Sequence, residues 1–275
     1  MRALISADME GATGVTCPDD CRPGSPQWDR FRKLLTADVA AVAAGLCDAG
    51  AEDIVVNEAH STMRNLLIED LDPPVRLLTG NHKPYGMMEG IAARPEVVAF
   101  VGYHAGPGEE GVLSHTFVGY EIFSVTLNGR PMSEGYLNAL LAAEYGARVV
   151  LVSGDDVTCR DAAQYAPGAS LVAVKEAVDR YTALCLPPSR TGPMLREAAR
   201  KGVSTAGEVP LPGAPYVCEV EFVGTSSAAL AALVPTVRRA GPRAVAFETA
   251  TVDALYRCFR VISKLGASAT EPRYG

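Results

Sequence analysis

Histidine is scarce in this chain, at four among 275 residues, and aromatic residues make up only 7%. No basic tract is present: 25 lysines and arginines are scattered among 32 acids, for a net charge of −7. Neutralising phosphates takes clustered cations, so this balance argues against nucleic acid as a partner. No run approaches the ~20 apolar residues of a membrane span. The start, Met1-Arg2-Ala3-Leu4-Ile5, meets Asp8 too soon to make the apolar core of a secretory signal. Cysteine is odd in number, seven residues, and dispersed apart from Cys17 and Cys21. With no second cysteine pair or histidine beside them, those two are expected as free thiols, and the protein as cytoplasmic with reduced cysteines.

What is present is Ala, Val and Leu, which lift the apolar share to 48% and favour helices packed closely on a sheet. The length suits one large α/β domain or one with a smaller appendage. Short apolar runs read as strands at Arg2–Ser6, Ile54–Asn57, Val75–Leu78, Val97–Val101 and Val149–Ser153. Gln27–Ala49 reads as a helix, with Ser25 to cap it, Pro26 in its first turn and Gly50 at its exit. Strands alternating with helices predict an α/β fold with a mostly parallel sheet flanked by helices. Asn128-Gly129 between Ser124–Leu127 and Arg130–Met132 predicts a hairpin, and Ser133 then caps a helix through Tyr145. Ser204–Pro215 reads as a linker. Tyr216–Phe222, Ala228–Leu233, Ala244–Glu248 and Val252–Lys264 follow as strand, helix, strand, helix. The expected organisation is an α/β domain over 1–203 and a smaller C-terminal α+β lobe over 204–275, or one domain containing both.

In open α/β sheets, sites form beyond the carboxyl ends of the strands. Asp8 and Glu10 follow the first strand, His60 the second and His104 the fourth, so parallel strands would gather these four near one edge. Two carboxylates two residues apart repel unless a cation lies between them; the alternative is that both are solvated at a strand end. His82 also follows an apolar run, so position at a strand end does not by itself select a ligand. Asp155 and Asp156 suit a helix cap or a supporting role. Gly102–Gly111 lacks the Gly-Lys-Ser/Thr end of a phosphate loop and reads as a mobile flap between His104 and His115. Ser114 lacks the flanking glycines of a hydrolase elbow. Glu134, in the first turn of its helix, suits the positive end of the helix dipole.

Taken together, Ser6-Ala7-Asp8-Met9-Glu10-Gly11 resembles the Ser-x-Asp-x-Glu-Gly signature of the D-aminopeptidase family of zinc metallopeptidases. Further resemblances are Val56-Asn57-Glu58-Ala59-His60-Ser61, Gly102-Tyr103-His104-Ala105, Leu113-Ser114-His115, and Asn128-Gly129-Arg130-Pro131 leading to Glu134-Gly135 and Leu137-Asn138-Ala139. They run in order from residue 1 to about 190 and more loosely beyond. The resemblance implies two zinc ions per subunit, with Asp8 bridging them, Glu10 and His104 completing one site, and His60 and Glu134 the other. Manganese or cobalt also suits such ligands. It implies a catalytic His115, a short-peptide substrate and a homo-oligomer of two stacked five-membered rings, a decamer. The family's assignment of His115 is as a nucleophile; beside a metal-activated water, a hydrogen bond to the oxyanion or a proton shuttle is the preferred reading.

Segments Thr16–Ser25 and Gly106–Gly111 depart from the family pattern, and both could line a substrate pocket. The resemblance therefore carries the metal chemistry further than the preference for D-residues. Competing readings are an L-peptide peptidase, a metal-dependent amidase or esterase on the same scaffold, and a binding protein that lost catalysis. The last would have lost a ligand, and all five positions are filled.

Overall fold

The structure is a computed structural model and describes residues 1–269. In chain order its elements are β1 Arg2–Ala7, α1 Pro18–Cys21, α2 Pro26–Asp48, β2 Asp53–Glu58, β3 Val75–Leu78, β4 Val97–Val101, β5 Ile122–Leu127, β6 Arg130–Pro131, α3 Glu134–Glu144, β7 Arg148–Asp155 and α4 Asp156–Tyr165. They continue with β8 Ser170–Asp179, β9 Thr182–Cys185, α5 Pro188–Thr205, β10 Tyr216–Phe222, α6 Thr225–Ala231, β11 Arg238–Arg239, β12 Ala244–Thr249 and α7 Val252–Ser268.

The chain divides into two units. The first comprises Met1–Ala105, Glu109–Ser114 and Asn138–Pro210, and the second Gly106–Gly108, His115–Leu137 and the chain from Leu211 onward. The first is built on a seven-stranded sheet in the order β3-β2-β1-β4-β7-β8-β9. Every pairing in it is parallel except β8 with β9. The central strand β4 is buried at every residue, as its unbroken Val-Val-Ala-Phe-Val run requires. Helix α2 buries Leu35, Val39, Val42 and Leu46 along one stripe, and Ser25 Oγ accepts from Trp28 N at 2.9 Å as its cap.

The second unit holds a five-stranded sheet in the order β11-β12-β10-β5-β6. Its pairings are all antiparallel. The strand, helix, strand and helix expected after residue 204 are present as β10, α6, β12 and α7. The boundary expected at 203/204 falls differently between the two units, because β10 pairs with β5 from the middle of the chain. The β8–β9 pair was not anticipated. The charged residues Lys175 and Glu176 interrupt its apolar run, Leu171–Val178, and hid the strand.

Candidate metal centre

Strand β1 lies between β2 and β4, and its last residue Ala7 pairs with Glu58 on one side and Val101 on the other. Three chain segments therefore leave the sheet at one edge, carrying Asp8 and Glu10, His60, and His104. Beyond that edge Asp8 N donates to Val101 O and Gly11 N to Gly102 O, both at 2.8 Å. Gly11 is needed for this approach: a Cβ there would lie 1.8 Å from Tyr103 O.

The two histidines are fixed by backbone carbonyls. His60 Nε2 lies 2.9 Å from Cys21 O and His104 Nδ1 2.9 Å from Ala105 O. A carbonyl only accepts, so each of these nitrogens carries the proton, and the opposite nitrogen is the one that meets Asp8. His60 Nδ1 is 3.4 Å from Asp8 Oδ1, and His104 Nε2 is 3.6 Å from Asp8 Oδ2. Each oxygen of one carboxylate thus faces a different imidazole. Glu10 Oε2 is 3.0 Å from His60 Nδ1, and donor atoms of Asp8, Glu10 and His104 all lie within 4.8 Å of one another. Glu10 is therefore in reach of either imidazole. Asp8 is 2% exposed, His104 4% and Glu10 7%. Burial alone would push the His60 imidazole down; the charge of Glu10 and the hydrogen bonds with Asp8 and Glu10 outweigh it and hold its pKa well above the usual 6.5.

Supporting groups hold these segments. The buried Glu58 carboxylate accepts from the backbone N–H of Asn65, from Leu66 N at 3.1 Å and from Thr79 Oγ1 at 3.2 Å. Asn65 Nδ2 in turn donates to His60 O at 2.9 Å. Thr13 donates to Asp38 through its N–H and its hydroxyl, each at 2.8 Å. Burial nevertheless pushes the Asp38 carboxyl up to about 6. Lys175, on β8, donates to Glu10 O at 2.7 Å, Ala12 O at 3.1 Å and Val15 O at 2.6 Å. Sequence reasoning missed Glu58, Asp38 and Lys175 as support. The one signal for Lys175 was a cation inside the mainly apolar run Leu171–Val178.

Glu134 and His115 belong to the second unit. Glu134 is buried at the start of α3, and its Oε1 accepts from Phe117 N at 2.5 Å. His115 is half-buried, its ring packed against Gly119. Ser133 caps α3 by accepting from Tyr136 N at 3.2 Å. Asp155 caps α4, accepting from Thr158 N at 2.7 Å, and also holds Val112 N at 2.6 Å. His82 is exposed. Within Gly102–Gly111, only Gly108, Glu109 and Glu110 are exposed. Cys17 and Cys21 are free thiols. Among the described residues, no helix is long and apolar enough to cross a membrane.

The sequence profile of the D-aminopeptidase family matches residues 1–261. Among curated proteins, a D-aminopeptidase of Bacillus subtilis (strain 168) is 32% identical over 271 residues, spanning 96% of this chain and 97% of its own length. A solved structure of the Zn-dependent D-aminopeptidase DppA from Bacillus subtilis, described as a self-compartmentalizing protease, aligns with a TM-score of 0.93 at 29% identity. The alignment covers 99% of this chain and 100% of that one. The mostly parallel sheet flanked by helices, with its added antiparallel sheet, is the fold the two share.

Proposed function

The chain belongs to the D-aminopeptidase family and is a peptide-bond hydrolase, and on that footing we propose that it is a zinc-dependent aminopeptidase with two zinc ions per subunit in one site. Asp8, Glu10, His60, His104 and Glu134 would hold the ions, the ligand set that the family resemblance implies. The observation that carries this reading is the two-sided Asp8 carboxylate, each oxygen facing a separate imidazole pinned through its far nitrogen. Two donors on one tetrahedral zinc, each about 2.1 Å from it, lie about 3.4 Å apart. The Asp8–histidine separations of 3.4 and 3.6 Å suit that better than they suit hydrogen bonds. Two buried carboxylates and two imidazoles are also a donor set that zinc accepts, the cation taking the place of the proton that Glu10 and Asp8 otherwise hold on the inner nitrogen of His60.

Zinc held there supplies a water ionised near neutral pH and Lewis acidity toward a peptide carbonyl. The protein's own groups do the rest. Cys21 O and Ala105 O keep both imidazoles in the tautomer that leaves the inner nitrogen free to ligate. His115 donates a hydrogen bond to the developing oxyanion or carries a proton to the leaving amine, rather than attacking the carbonyl itself. The substrate is a short peptide with a free amino terminus, in keeping with the relatives one that begins with a D-residue. The protein works in the cytoplasm as a homo-oligomer of stacked five-membered rings.

The test is hydrolysis of matched D-Ala and L-Ala dipeptides and p-nitroanilides, with and without chelator, followed by zinc add-back. Chelator-sensitive release from D-substrates, restored by zinc, is expected. Equal release from L-substrates would discard D-specificity and keep the metal chemistry. No release from any dipeptide by the zinc-loaded protein would overturn the reading.

A further inference from the structure

Lys175 is 1% exposed, and all three protons of its ammonium are committed to carbonyls of a single loop, those of Glu10, Ala12 and Val15. It stands on β8, three strands from β1 in the order β1-β4-β7-β8. Its side chain therefore ties the loop after β1 to the far part of the same sheet edge. On its other side the same loop is tied at Gly11 N to Gly102 O, at 2.8 Å. Glu10 lies between the two ties, with its backbone carbonyl on Lys175 and its carboxylate on His60. The ammonium's hydrogen bonds all go to backbone carbonyls and none to a side chain. Burying an ammonium is costly unless every proton finds an acceptor, and a core position of this kind takes an apolar residue unless the charge serves a purpose.

From this geometry we infer that Lys175 is a positioning residue for the metal centre, setting the Glu10 carboxylate by holding the Glu10–Val15 backbone from beneath. The inference rests on the zinc reading of the site. It separates two effects of removing the ammonium: a loss of general stability, which any core defect produces, and a loss of metal affinity, which a defect elsewhere does not.

The experiment measures zinc affinity of the purified, zinc-stripped protein by competition with a chromogenic chelator, for wild type, Lys175→Met and Leu46→Ala. Leu46 is fully buried in α2, away from the loop, and its truncation supplies the matched loss of melting temperature. Lys175→Met is expected to bind zinc about 10- to 100-fold more weakly than wild type, the range found for groups that orient metal ligands. Leu46→Ala is expected to bind as wild type does. If Lys175→Met is not recovered folded, Lys175→Gln is read in the same way. Equal zinc affinity in the lysine variant and wild type overturns the positioning role. Failure of wild type itself to bind zinc overturns the proposed function instead, so the two failures are distinguishable.

Discussion

At the scale of single residues, the proposed zinc ligands and the proposed proton-handling group make different predictions. His115→Ala is expected to keep its full zinc content while kcat falls about 10²- to 10⁴-fold, the usual contribution of a proton-transferring side chain. Undiminished turnover with full zinc would remove every catalytic role for His115. Asp38 makes a prediction of the opposite kind, about stability. Its folded carboxyl is raised from 3.8 to about 6 by burial, against the two hydrogen bonds from Thr13. The folded state therefore favours the protonated acid. That contribution is present in full below the ordinary carboxylate pKa and is lost as pH rises through about 6. A shift of this size corresponds to about 3 kcal/mol at neutral pH. Urea unfolding of the zinc-free protein is expected to show Asp38→Asn gaining up to about 3 kcal/mol on wild type between about pH 4 and pH 7. A difference that does not change with pH would show that Asp38 is not held protonated.

At the scale of elements, close helix packing sets narrow tolerances. A Cβ on Gly45 of α2 would lie 2.1 Å from Arg196 O of α5. Gly45→Ala must push the two helices apart, and a loss of about 1–3 kcal/mol is expected in denaturant unfolding. Ser25→Ala removes only the cap of α2, and about 1 kcal/mol is expected. A Gly45→Ala protein as stable as wild type would mean that α2 and α5 tolerate a wider separation. The elements legible in the sequence were those with a clean period or a clear stop. Strand β4 is an unbroken apolar run, α2 has its stripe and its Ser-Pro start, and Asn128-Gly129 marks its hairpin. Strand β8 was not legible, because charge inside an apolar run reads as surface until the fold shows what the charge meets. The gathering of the segments after β1, β2 and β4 could be read because parallel strands bring their carboxyl ends to one edge. The tautomers of His60 and His104 could not, since the carbonyls of Cys21 and Ala105 that fix them are placed only by folding.

At the scale of the whole molecule, the second unit draws β5 and β6 from mid-chain and β10, β11 and β12 from the C-terminal third. Glu134 and His115 belong to it, so truncation near residue 204 would remove β10, the longer of the two partners of β5, and is expected to cost activity as well as stability. Sedimentation of the intact protein is expected to give the mass of stacked five-membered rings; a single chain would contradict the assembly and leave the metal chemistry standing. The measurement that bears most directly on the central claim is a zinc titration of the stripped protein, followed through hydrolysis of D-Ala p-nitroanilide. Activity is expected to be absent at first, to rise with added zinc and to level off at two equivalents per chain. Full activity in the presence of excess chelator would contradict the account, and a plateau at one equivalent would contradict its dinuclear form.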